Sequence, residues 1–112
     1  MQHRDRIILQ KIISEIDIAF EMLGETSQED FLKDEKLKRA AGMTVINIGE
    51  LVKSISDELR REHREIPWKA VAGMRDIAAH KYQTLRMEDV YNTIRIDFPD
   101  LKEMIASILG KD

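Results

Sequence analysis

The chain has 112 residues, no cysteine and 21 acidic against 18 basic side chains, for a formal net charge of −3. A chain of this length can bury roughly two thirds of the surface its unfolded form exposes, so residues 1–112 are expected to form one domain that needs no staple. The absence of cysteine excludes a disulfide framework and thiolate metal sites, and the charge excludes attraction of nucleic acid by the protein as a whole; any RNA must be held by a local basic patch.

Three further exclusions follow. His3, His63 and His80 have no ligand-like spacing, so no metal site is expected; no cofactor is expected either. The longest apolar run is far short of the roughly 20 residues that span a bilayer. The N-terminus, Met1-Gln2-His3-Arg4, leads straight into an amphipathic pattern and not a signal peptide, which predicts a soluble, cytoplasmic protein with no membrane partner.

Between Arg4 and Leu23, apolar residues at Leu9, Ile12, Ile13, Ile16, Ala19, Phe20 and Leu23 recur at steps of three and four, which predicts a first helix ended by Gly24. Ser27, followed three residues later by Asp30, resembles a capping box with an acid in its last place and predicts a second helical start, anchored by Phe31 and Leu32. Leu37, Ala41, Thr44, Ile48, Leu51, Ile55 and Leu59 then trace one seam, which predicts a long helix reaching about Arg61. Gly42 and Gly49 lie seven apart on the same side of it. Each glycine costs a helix about 1 kcal/mol relative to alanine, so the pair predicts a close backbone neighbour there, from this chain or a second subunit.

Arg60 to Glu65 reads as a charge-dense connector, and Pro67 suits the first turn of a helix over Trp68 to His80. Lys81 to Arg86 has no apolar period and reads as a loop. Met87 to about Ile96 is helical again, with Val90, Tyr91 and Ile94 inward. Pro99 disfavours helix at Phe98 and fits the start of a last helix, carrying Leu101, Met104, Ile105, Ile108 and Leu109 before Gly110 stops it. With no strand alternation, the fold class is an all-α bundle of four or five helices.

One stretch concentrates the chemistry. Gly73 to Tyr82 places a fixed cation, Arg75, a titratable imidazole, His80, and a phenol, Tyr82, within eight residues. Metal-free RNA cleavage needs a base for the 2′-hydroxyl proton, an acid for the leaving 5′-oxygen and a cation for the charge building on the phosphoryl oxygens. His80 can exchange protons near neutral pH, and the guanidinium of Arg75 matches phosphate oxygens in a permanently charged fork. Asp76, four residues before His80, can orient its ring.

On an ideal helix Arg75 and His80 are about 140° apart and Arg75 and Tyr82 about 20° apart, so a straight helix cannot aim all three at one point. Either the helix ends near His80, or two copies of the motif complete the site across a two-fold axis. Arg75 falls within the apolar arc of Trp68, Val71, Met74, Ile77 and Ala78, where it needs a carboxylate such as Glu50 or a subunit boundary. A plain reading also fits these residues, in which Asp76 and His80 are a surface pair and Arg75 a salt bridge. Lys69, Lys81 and Arg86, with Arg60, Arg61 and Arg64, are candidates for guiding RNA, against which stands the interleaving of Glu62 and Glu65. Trp68 reads as a core or dimer anchor before a base-stacking platform.

Arg75-x4-His80-x-Tyr82, together with Ile48-Gly49-Glu50, Glu65-Ile66-Pro67-Trp68, Gly73-Met74-Arg75 and Phe98-Pro99-Asp100-Leu101 in that order, resembles the HepT-like ribonuclease toxins of the HEPN fold over nearly the whole chain. The resemblance implies a HEPN-type helical bundle acting as a homodimer or a higher oligomer, with the active-site cleft at the subunit interface and Arg75 and His80 as the catalytic pair. It also implies a tRNA or mRNA substrate and a minimal nucleotidyltransferase antitoxin. In some members that partner transfers AMP from ATP to the motif tyrosine, here Tyr82. Asp76 stands where the family often has Asn, which adds negative charge beside the phosphate site. The alternative function is a catalytically weak HEPN module that binds its nucleotidyltransferase partner and a nucleotide, with Tyr82 as AMP acceptor.

Overall fold

The computed structural model describes residues 1–80 and 86–111, and for 75–80 it describes the helical backbone alone. Helix α1, His3–Leu23, buries Leu9, Ile12, Ile16, Ala19 and Leu23 of the stripe that the apolar spacing assigns to it, with Ile13 and Phe20 partly buried at its edges. It ends at Gly24, whose φ of 50° lies in the left-handed region that side chains disfavour, and whose N–H donates to the Phe20 carbonyl at 2.9 Å. Ser27 Oγ then accepts from the Asp30 amide at 3.1 Å and caps α2, Gln28–Lys33, a single short turn and a half that sinks Phe31 into the core. Asp34 closes α2 and caps α3 in turn, accepting from the Leu37 amide at 3.0 Å.

The chain after Gly24 is tied down from far along the sequence. Arg95 Nη2 donates to the carbonyls of Gly24 at 2.6 Å and Thr26 at 3.0 Å, and Tyr91 Oη donates to the same Thr26 carbonyl at 2.7 Å. A guanidinium here satisfies carbonyls left over at the negative end of α1. Its carbon stands 5.2 Å from the centre of the Tyr91 ring, which in turn meets Phe31 at 5.4 Å between centroids.

Helix α3 spans Glu35–Lys53 and stops well short of the predicted Arg61. The seam does continue, since Ile55 and Leu59 are both buried, but the backbone breaks at Ser54–Ser56 and restarts as α4, Asp57–Glu62. Side chains cause the break. Asp5, only 2 % exposed, accepts from the Ser56 amide at 3.0 Å and from Ser56 Oγ at 2.6 Å. Ser56 Oγ also accepts from the Leu59 amide at 3.2 Å as the N-cap of α4. From the other side of the break, Arg60 Nη2 reaches back to the carbonyls of Val52 at 2.8 Å and Lys53 at 3.1 Å. The backbone groups freed at the break are thereby bound by side chains.

Helix α5, Trp68–His80, has the predicted bounds and is the most extensive neighbour of α3, whose Gly42 and Gly49 are both buried. Beyond it, α6, Met87–Asn92, and α7, Phe98–Lys111, are not separated as predicted: they are joined by a π-helical turn, Thr93–Asp97. Phe98 is helical, at φ −66° and ψ −36°, and its N–H donates five residues back to the Thr93 carbonyl. Pro99 explains this turn. Its ring has no N–H to give and crowds the carbonyl four residues before it, and the wider π turn makes room without ending the helix. Gly110 lies inside α7 and does not stop it.

Among the described residues every regular element is helical, so the architecture is the all-α bundle expected, with α1, α3, α5 and the α6–α7 unit as its long members and α2 and α4 as short connectors. The core lies between α1, α3 and α7 and extends under α5 through Ile66, Trp68 and Val71. No described helix is long and apolar enough to cross a membrane. Asp5→Ala should cost about 2 kcal/mol, because it strips a charged acceptor from two Ser56 donors. Chemical denaturation is the check, and an unchanged midpoint would show that the α3–α4 break does not depend on this carboxylate.

Candidate active site on helix α5

The chemistry-bearing stretch begins on α5, and α5 is positioned from its N-terminal end. Trp68 is 5 % exposed and its indole N–H donates to the His63 carbonyl at 2.9 Å. The ring is therefore a core anchor whose polar edge is satisfied by the connector it leaves. Ile66 is buried beneath it. Pro67, fixed in φ and lacking an N–H, stands just before the first helical residue, and its carbonyl accepts from the Val71 amide at 3.0 Å. Val71 and Ala72 then continue the buried side, with Met74 half buried against the core.

Arg75, Asp76 and His80 belong to this same continuous helix, at the opposite end from the Trp68 anchor. Five residues of rise separate Arg75 from His80, about 7.5 Å along the axis. The side chains of Arg75, Asp76 and His80, like Lys81 and Tyr82 as a whole, lie outside the described residues, and so does any pairing of Arg75 with Glu50. What the fold supplies is the platform: α5 is anchored at Trp68 and packed along α3, and it holds the motif arginine and histidine in one helical register.

The three proposed RNA contacts separate. Lys69, in the first turn of α5, is exposed and lines a cleft of about 630 Å³ together with Arg60 and Arg64. Arg86 does not line that cleft; it precedes α6 and its Nε lies 3.3 Å from Glu88 Oε2. Lys81 is outside the described residues. Two constellations escape a reading of periodicity: Asp5 with Ser56 and Arg60, and Arg95 with Tyr91 and Thr26. The first leaves one local trace, Ser56 before the acidic Asp57 and Glu58, which is an N-cap pattern that the apolar spacing of Ile55 and Leu59 obscures.

In the connector before α5, His63 Nδ1 stands 3.3 Å from Glu65 Oε1. The backbone amide of Glu65 itself holds its carboxyl below the usual glutamate range, burial opposes this, and the neighbouring His63 adds a lesser lowering. A depressed carboxyl pKa favours the folded connector above the unfolded glutamate pKa, and that preference is lost as pH falls through the folded value. An NMR titration should therefore find the Glu65 midpoint below that of an unstructured glutamate, whereas a midpoint at or above it would contradict the hydrogen-bonded geometry.

Comparison with known proteins assigns the class of this helical bundle. The family model described as "Ribonuclease HepT-like" matches residues 12–108. "Putative RNase TTE0752" of Caldanaerobacter subterraneus subsp. tengcongensis is 36% identical over 107 residues, covering 96% of both chains. "Probable ribonuclease HepT" of Thermococcus cleftensis is 36% identical over 100 residues, covering 89% of both. No solved structure matches the chain significantly. The chain belongs to the HepT-like ribonuclease family.

Proposed function

We propose that this protein is a metal-independent endoribonuclease toxin of a toxin–antitoxin pair, with Arg75 and His80 as its catalytic residues. The observation that carries the reading is that the family match over residues 12–108 includes the whole Arg75-x4-His80-x-Tyr82 segment, whose arginine and histidine stand on one anchored helix. His80 takes the proton of a ribose 2′-hydroxyl, the 2′-oxygen attacks the adjacent phosphorus, and the bond to the 5′-oxygen breaks. The leaving oxygen receives a proton and a 2′,3′-cyclic phosphate remains. Arg75 neutralises the charge that builds on the non-bridging oxygens, where a preorganised cation acts most strongly.

One histidine cannot give and take a proton in the same instant, so the reading includes a homodimer in which the partner subunit's His80 supplies the acid. The position of Arg75 within an apolar register supports a subunit boundary there. Asp76 orients the imidazole of His80, and Lys69, Lys81 and Arg86 contact the RNA, either tRNA or mRNA. A minimal nucleotidyltransferase antitoxin silences the site by joining the Tyr82 phenol to the α-phosphorus of ATP with release of pyrophosphate. Both partners work in the cytoplasm.

Substitution tests the assignment. His80→Ala should lower the cleavage rate by about 10² to 10⁴ and Arg75→Ala by about 10² to 10³, with melting temperatures near the parent's. Products of the parent should carry cyclic phosphate at the 3′ end. Equal cleavage by either variant would remove that residue from the mechanism.

A further inference from the structure

Among the described residues, the cleft at the start of α5 gathers three cations and no acid. Arg60, Arg64 and Lys69 share its wall with Ile66, Pro67 and Trp68, in a volume of about 630 Å³. In the sequence these cations alternate with Glu62 and Glu65, yet neither glutamate lines the cleft, and Glu65 is engaged by His63. Arg64 and Lys69 are exposed and make no ion pair or hydrogen bond among the described residues. Arg60 donates to the Val52 and Lys53 carbonyls and its Nε is buried without a hydrogen-bond partner; none of its hydrogen bonds among the described residues goes to a carboxylate.

The surroundings sharpen this polarity. Across Pro67 and Ala70, which both grooves share, lies a second groove of about 360 Å³ with an apolar floor and Asp97 and Asp100 on its lining. An anion is repelled from that side of the ridge and attracted to the other. Register supplies the link to the chemistry. Position 80 follows position 69 by eleven residues, which places the two about 20° apart around the axis of α5 and about 16 Å apart along it. The cation at position 69 is therefore on the same side of the helix as the histidine position, a few nucleotides distant and not adjacent.

We infer that this cleft is a second, non-scissile phosphate subsite for single-stranded RNA, in which Arg64 and Lys69 hold the backbone of a strand that runs along α5 to the reaction centre. The inference rests on the ribonuclease reading above. Held at two points, a strand is aligned before cleavage, and its binding carries the salt dependence of phosphate contacts. Arg60 shapes the wall and contributes field, and Arg64 and Lys69 are the residues that move to meet the strand.

The test uses the full chain and a fluorescent 2′-O-methyl oligouridine, which cannot be cleaved by a 2′-oxygen attack, titrated by anisotropy between about 50 and 200 mM salt. The double variant Arg64→Gln/Lys69→Gln should bind roughly tenfold more weakly at the low end, with a salt slope flatter by about 1.4 because two phosphates are no longer neutralised. The charge-matched Lys33→Gln/Lys36→Gln, placed on α2 and α3 outside the cleft, should bind as the parent does. Equal affinity and slope in Arg64→Gln/Lys69→Gln, equal weakening in the charge-matched control, or no binding by the parent would each overturn the subsite. Because the probe is uncleavable, failure of the nuclease reading shows separately, as an inability to cut ordinary RNA.

Discussion

The buried carboxylate of Asp5 decides where the longest apolar seam of the chain is allowed to be a helix. By taking both donors of Ser56 it holds that residue in extended conformation between α3 and α4, in a place where Ile55 and Leu59 alone would carry the helix onward. A carboxylate so deeply buried is tolerated only when its oxygens are bonded, and Ser56 provides two donors at once. The consequence reaches the site. With α3 ended at Lys53, the chain can turn through α4 and return as α5 along the face of α3.

Arg60 couples that turn to the surface of the molecule. Its Nη2 caps α3 through two carbonyls while the residue also lines the cleft beside Arg64 and Lys69. One residue thus serves the break in the backbone and the local positive field. For a protein of net negative charge such a field must be concentrated by folding, and here Arg60 and Arg64 line the cleft while the glutamates they alternate with do not.

What is legible in the sequence is whatever local chemistry determines. Gly24 stops α1 because its backbone goes where side chains are strained, Ser27 caps α2 through its own hydroxyl, and Trp68 to His80 is helical with Trp68 inward. What misleads is local evidence overruled from afar. The acceptor that breaks the α3 seam stands 51 residues from Ser56, and nothing around Ser56 announces it. Pro99 reads as a start because proline usually is one, yet a π turn accommodates it within a continuing helix, aided by Arg95 and Tyr91 holding the same segment to Gly24 and Thr26. Of the site, the residue types and their common helix are readable from spacing. The grouping of Lys69 with Arg60 and Arg64, and the separation of Arg86 from them, require the turn between α4 and α5.

Cleavage of RNA by the imidazole and guanidinium of α5 without a metal ion, as proposed, can be tested in one experiment. The most direct measurement is the cleavage of total RNA by the purified chain in EDTA, beside His80→Ala, after intact-mass analysis has established that Tyr82 carries no adduct. The account predicts fragments ending in cyclic phosphate from the parent and none above background from the variant. Intact RNA after incubation with unmodified parent protein would contradict it and favour a module whose work is to bind its nucleotidyltransferase partner.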